Sequence, residues 1–372
     1  MRSLRWVGVF AAVIALAAGS APAARSAALP RAAARLPAMS LAQLAGQRII
    51  YSYAGLTPPA SLKNLISAGK AGGVIFFSDN ISSAAQIRRV IQGLQRLNRA
   101  SPAGEPLLMM TDQEGGLVRR LPGPPARSEK QIGQSADPPL AAARAGRAAG
   151  LNLRGAAMNV NLAPVLDVYR QAGNFIDEFG RSYSSNPKVV SRLGARFIGA
   201  QQGTGVAATG KHFPGLGAAA RSQNTDLRPV TLNLPLAQIR GVDEYPYRAA
   251  IRAGVRLVMV SWAVYPALSG RPAGLSPAVV RGELRQRLGF GGVTVTDALE
   301  AGALRSYGSL GNRGVLAAGA GMDLLLYAGR SVSDGVSGLH ALVAALRSGR
   351  LGRGAFRASV ARVLALRAGV AR

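Results

Sequence analysis

VAATGKHFPGLG, Val206 to Gly217, is an apolar run that ends on a lysine and on one of only two histidines in the chain. Gly210 closes the apolar part, and Pro214, Gly215 and Gly217 supply turn chemistry directly after it. The pattern reads as a buried strand that carries Lys211 and His212 to a strand-to-loop junction. Charged side chains at such a junction are poised to hold a ligand.

Seven further runs of the same kind lie on either side: RIIYSY (48–53), GGVIFF (72–77), PLLMMTD (106–112), AMNVNLAPV (157–165), RLVMVSW (256–262), GGVTVTD (291–297) and GMDLLLY (321–327). Segments of helical period separate them, among them SAAQIRRVIQGLQRLNRA (83–100), PKVVSRLGARFIGAQQ (187–202) and PYRAAIRAG (246–254). Continuous apolar strands alternating with helices imply a parallel sheet covered on both faces. Eight such units in about 330 of the 372 residues suit an α/β fold of the (β/α)8 TIM-barrel type, forming a single domain. A doubly wound open sheet is the alternative. The two differ in where the polar strand ends lie: Asp112, Asp167, Lys211 with His212, Ser261 with Trp262, and Asp297 meet at one mouth in a barrel and spread along an edge in an open sheet. No helix opens on a phosphate-binding glycine loop of the dinucleotide or Walker type, which weighs against nucleotide binding.

The amino-terminal stretch has the order of a secretory signal. Arg2 and Arg5 precede an apolar run from Trp6 to Ala18 and a small-residue stretch from Gly19 to Ala28, with cleavage expected after Ala23 or within the next few residues. Thirteen apolar residues fall short of the roughly 20 that span a bilayer. Residues 1–28 are therefore expected to be a signal peptide, 29–44 an Ala/Arg/Pro linker and 45–372 the barrel, in a protein that is secreted or held in the cell envelope. The chain has no cysteine, so its stability rests on the core without disulfides. Its net charge of +28 comes mostly from single arginines scattered through Ala/Gly-rich helices, and aromatics make up only 5%. Nucleic-acid binding wants clustered charge with interleaved aromatics, so it is not expected. A solvated basic surface, or loose association with anionic envelope polymers, accounts for the charge.

With only 17 acidic residues, each one at a strand end carries weight. Asp297 closes an apolar strand and reads either as a nucleophile or as the N-cap of the segment that follows. Asp112 opens TDQEGGLVRR (111–120), where the two glycines let Arg120 swing back toward the strand end; it reads either as half of a ligand clamp or as a loop ion pair with Arg119 or Arg120. Asp167 reads as a structural turn residue, and Arg181 lies in a polar loop long enough to lean over a pocket. His340, on an amphipathic helix, reads as a surface or packing residue. Two distant histidines and no cysteine give no metal-ligand spacing.

TDQEGG with Arg120, NLAPVLDV (161–168), GRSYSSNP (180–187), KHFPGLG and GVTVTDAL (292–299) stand in an order that resembles glycoside hydrolase family 3, in its β-N-acetylhexosaminidase branch. The resemblance covers roughly residues 45–370. It implies a (β/α)8 barrel and a retaining, two-step hydrolysis of terminal β-linked N-acetylglucosamine, without a cofactor, on peptidoglycan fragments or other β-glycans. Asp297 would be the nucleophile, and Asp112, Arg120, Arg181, Lys211 and His212 fall on the family's sugar-binding positions. The departure is in the loop after the fifth strand, LGAAARSQNTD (216–226), which places Ser222 and Asn224 where the branch carries an Asp and His that act together as acid and base. Neither replacement donates a proton usefully near neutral pH. Three outcomes stay open: Asp226 takes over as the acid; only substrates with good leaving groups are cleaved; or the protein binds wall glycans without turnover. A β-glucosidase-type specificity is the nearest enzymatic alternative.

Overall fold

Each of the eight apolar runs contains one strand, and the eight pair in chain order. In the computed structural model, which describes residues 38–370, the strands are Ile49–Tyr51, Gly73–Ile75, Leu108–Thr111, Val160–Asn161, Ala207–Phe213, Leu257–Val260, Val293–Thr296 and Leu325–Leu326. Every neighbouring pair is parallel, and the eighth strand pairs with the first. A bridge between Val295 and Leu324 joins the seventh strand to the eighth and closes the ring. The fold is a single (β/α)8 barrel, and the open-sheet alternative falls away.

Alternation along the strands divides the core. Leu108 and Met110, Leu257 and Met259, and Val293 and Val295 point inward and pack as one cluster, whereas Leu107, Met109, Val258 and Val260 belong to the layer between sheet and helices. The helices present matching stripes. In Ala84–Arg99, capped by the Ser83 hydroxyl accepting from the Gln86 N–H, Ile87, Ile91 and Leu94 are buried. Pro187–Gln202 starts with a proline behind an Asn186 cap and buries Val190, Leu193, Phe197 and Ile198. It packs closely on Pro138–Gly155, because a Cβ on Gly146 would come 2.3 Å from the Phe197 carbonyl oxygen.

The amino-terminal end of the barrel has a floor made by the last helix, Arg353–Gly369. Its Val363 and Leu366, with Val370 beyond it, complete the interior cluster. Arg367 is fully buried there, donating to the Pro106 carbonyl at 2.8 Å and to Gln47 and the Glu105 carbonyl.

One boundary needs correction. The signal peptide expected over 1–28 and the first part of the linker lie outside the described residues, but the linker does not extend to 44. Ser40 and Gln43 form a capping box on the helix Leu41–Gly46, whose Leu44 and Ala45 are buried. A six-residue helix holds too few turns for periodicity to show, although Ser-x-x-Gln is itself a start signal.

Candidate active site

The polar strand ends meet at the carboxy-terminal mouth of the barrel. There they line a cavity of about 600 Å³ that includes Asp112, Arg120, Arg181, Lys211, His212, Asp226 and Asp297. Ser261 and Trp262 end the sixth strand but are buried outside this lining.

Asp112 leaves the third strand and leads into a hairpin of Gln113–Gly115 with Val118–Arg119. Gly115 and Gly116 take positive φ values of 119° and 57°, which turn the chain so that the Arg120 N–H donates to the Asp112 carbonyl at 3.1 Å. Arg120 Nε then stands 3.9 Å from Asp112 Oδ2. The closer partner of Asp112 is distant in sequence: Lys211 Nζ lies 2.8 Å from its Oδ1.

Lys211 also reaches Glu114 Oε1 at 2.7 Å, and Arg181 grips the same carboxylate with two bonds, Nε to Oε2 at 2.9 Å and Nη2 to Oε1 at 2.8 Å. Burial alone would raise the Glu114 pKa, yet the Arg181 guanidinium and Lys211 ammonium overcome it and bring it down to about 2. Burial likewise works against the charge on Lys211, and Asp112 and Glu114 more than compensate, raising its pKa. Behind this ladder sits Glu129, fully buried, its Oε1 accepting from the Val165 N–H at 2.9 Å. Burial and the neighbouring Glu114 charge push its pKa well above the usual range.

Asp167 does more than shape a turn. Its Oδ1 accepts from the Leu216 N–H at 2.7 Å and the His212 N–H at 3.3 Å, while its Oδ2 is 2.7 Å from His212 Nδ1. The ring's other nitrogen is 3.4 Å from Arg181 Nη2.

Asp297 and Asp226 face the cavity from the other side. Asp297 is not a helix cap: its Oδ1 accepts from the next N–H, Ala298, at 2.8 Å, and the short helix further on, Gly302–Tyr307, starts from Ala301. Trp262 Nε1 donates to the Ala298 carbonyl at 2.8 Å and so fixes the turn that carries Asp297. Asp226 is set by an Asx turn in which Asn224 Oδ1 accepts its N–H at 2.8 Å. The loop is pinned to the segment after Asp297 by the Gly302 N–H donating to the Asp226 carbonyl at 2.7 Å, an approach so close that a Cβ on Gly302 would lie 2.1 Å from the Leu227 carbonyl oxygen. Burial of the carboxyl, then the Asp297 carboxylate, push the Asp226 pKa up from 3.8 to about 6. The residue is exposed, so solvent both hydrates the carboxyl and screens the Asp297 charge, and the shift is upward in direction.

Residues 39–366 match the glycosyl hydrolase family 3 N terminal domain. The chain belongs to glycosyl hydrolase family 3. Among relatives, an uncharacterized secreted glycosyl hydrolase of Arthroderma benhamiae is 52% identical over 332 residues, 88% of this chain and 94% of its own. A β-hexosaminidase of Nitrosomonas eutropha is 32% identical over 286 residues, 75% of this chain and 79% of its own. Among solved structures, a glycoside hydrolase family 3 β-N-acetylglucosaminidase from Paenibacillus superposes with a TM-score of 0.84 at 34% identity over 90% of this chain. The match spans 64% of that Paenibacillus protein.

In this family 3 hydrolase the strand-end residues Asp112, Lys211, His212 and Asp297 and the loop residues Arg120, Arg181 and Asp226 line one cavity. Of the two loop residues Ser222 and Asn224, Asn224 lines the cavity and shapes the Asp226 turn, while Ser222 is exposed and outside it. His340 is exposed on the helix Val332–Arg347. Glu114 was missed, although it lies two residues after Asp112 at the alternate position of an extended segment, a spacing that puts both on one side. Arg330, also missed, lines the cavity just beyond the eighth strand.

Proposed function

We propose that this family 3 hydrolase is exported and removes terminal β-linked N-acetylglucosamine, or a close relative, from cell-wall or other glycans by a retaining mechanism. Asp297 attacks the anomeric carbon and the glycosidic bond breaks, its electron pair leaving on the aglycone oxygen, which takes a proton from Asp226. Water then attacks the glycosyl-enzyme, Asp226 accepts its proton, and Asp297 is released. Asp112, Arg120, Arg181, Lys211 and His212 hold the sugar hydroxyls.

The observation that carries this reading is the carboxyl pair at one mouth: Asp226 and Asp297 line the same cavity, where burial, then the Asp297 carboxylate, push the Asp226 pKa up to about 6. The sugar class follows the names of the β-hexosaminidase and β-N-acetylglucosaminidase relatives, and export follows the leader together with the relative named as secreted.

The test is hydrolysis of a nitrophenyl β-N-acetylglucosaminide by the native protein beside Asp297→Ala. Release that Asp297→Ala abolishes supports the reading. No release from either protein, with aryl glucosides also intact, leaves glycan binding without turnover in its place.

A further inference from the structure

At the opposite end of the barrel a second cavity, of about 430 Å³, lies where the last helix meets the approach to the eighth strand. Arg48, Arg281, Arg285, Arg350 and Arg362 line it, and no carboxylate is among its lining residues. One buried carboxylate, Asp323, sits beneath them and is shared: Arg362 Nη2 lies 2.7 Å from its Oδ1, and Arg285 holds its Oδ2. The remaining guanidinium groups have neutral partners. Arg48 Nε donates to the Asp323 carbonyl at 3.0 Å and its guanidinium stacks 4.2 Å over the Phe356 ring. Arg281 Nη2 donates to the Gly319 carbonyl at 2.6 Å, and Arg350 to the Asn312 side chain.

Four positive charges are therefore left without a counter-charge around one concavity. Burial, partly offset by Asp323 and reinforced by Arg362, lowers the Arg48 pKa to about 10.

A separate feature points the same way. Gly352, Ala355 and Phe356, at the start of the 17-residue helix Arg353–Gly369, line this cavity. No side chain caps that helix and no acidic residue stands in its first turn, so its amino-terminal N–H groups and positive dipole end face the arginines uncompensated. Nothing lies within 4 Å of where a Cβ on Gly354 would be, so the first turn is open. Guanidinium forks and a free helix amino terminus both recognise tetrahedral oxyanions, which offer several acceptor oxygens and, for a phosphate monoester, about −1.5 to −2 charge at pH 7.

We propose that this cavity binds a phosphate-class oxyanion, held by Arg281, Arg350 and Arg362 and by the first turn of the last helix. The site lies across the barrel from the mouth and does not depend on the function proposed above. The phosphoryl group comes either from a soluble phosphate compound or from an anionic lipid headgroup, and the chemistry of the site is common to both.

The test is calorimetric titration of the mature protein with inorganic phosphate and pyrophosphate at fixed ionic strength set by chloride. The native protein is expected to bind one equivalent saturably. Arg281→Ala with Arg350→Ala should weaken binding at least tenfold, while Arg147→Ala with Arg192→Ala, which removes the same charge from exposed sites elsewhere, should leave it unchanged. Because the first pair also removes two surface hydrogen bonds, Gly354→Glu provides a second readout: a carboxylate in the open first turn should raise the melting temperature and abolish phosphate binding. Absence of saturable binding by the native protein, or equal binding by the Arg281/Arg350 variant and by Gly354→Glu, overturns the proposal. Co-sedimentation with phosphatidylglycerol vesicles but not phosphatidylcholine vesicles, lost in the Arg281/Arg350 variant, identifies the headgroup as the source; saturable phosphate binding without co-sedimentation identifies the soluble one.

Discussion

Asp167 and His212 are joined twice: the carboxylate is 2.7 Å from the ring Nδ1 through one oxygen and 3.3 Å from the His212 N–H through the other. The first oxygen orients the imidazole, and the second binds the loop that follows through Leu216. Asp167→Asn keeps the shape but loses the charge. Urea unfolding should show a loss of about 1.5–3 kcal/mol, the usual worth of hydrogen bonds to a charged group. Substrate affinity should fall as the ring loses its fixed orientation.

Glu114→Gln should be more damaging. It leaves Arg181 and Lys211 buried with too little negative charge, a situation that costs roughly 3–5 kcal/mol. The acid limb of the stability curve reports the same group. Its folded pKa is depressed, from 4.5 to about 2, so its contribution is fully present above the unfolded value and is lost as pH falls from 4.5 through 2. Unfolding followed across that window should therefore be less pH-dependent in Glu114→Gln than in the native protein.

The proposed role of Asp226 as the acid predicts a pH dependence of turnover. As the acid it must be protonated, so kcat for a natural disaccharide should decline as pH rises through about 6. Asp226→Asn should lower that rate ~10²- to 10⁴-fold, yet largely spare the first step on a nitrophenyl glycoside, whose leaving group needs little protonation. Azide should rescue the variant on the nitrophenyl substrate and give a β-glycosyl azide. A variant that keeps the native pH profile on the disaccharide removes Asp226 from the acid role.

Gly302→Ala tests the placement of that acid without touching it. The added methyl would meet the Leu227 carbonyl carbon at 2.3 Å as well as its oxygen, and the Asp226 loop has to move away from the segment after Asp297. Turnover of the disaccharide should fall several-fold more than turnover of the nitrophenyl glycoside, with far-ultraviolet circular dichroism unchanged.

The barrel and much of its mouth are legible in the chain because strand ends are local features. An apolar run that stops at Asp112, Lys211 or Asp297 declares both the strand and the side chain it delivers. What local reading lacks is pairing between distant segments. Asp167 looks like a turn residue until His212, 45 residues on, is seen beside it. Glu114 is one acid within a glycine turn until Arg181 and Lys211 close on it from two other elements. The choice between cap and nucleophile for Asp297 likewise needs the conformation of Ala298 to Ala301, which no helix pattern announces.

The floor formed by Val363, Leu366, Val370 and Arg367 has a consequence for the order in which the protein comes into being. Arg367 bonds to Gln47, 320 positions earlier, so the first and last helices are fastened at one point. While the chain is being made, all eight strands emerge before the residues that seal their lower end, and this contact is the most non-local kind, formed late and slowly. Completion of the barrel thus waits on the synthesis of residues 353–370, and removing them would take away the closing step itself rather than an appendage.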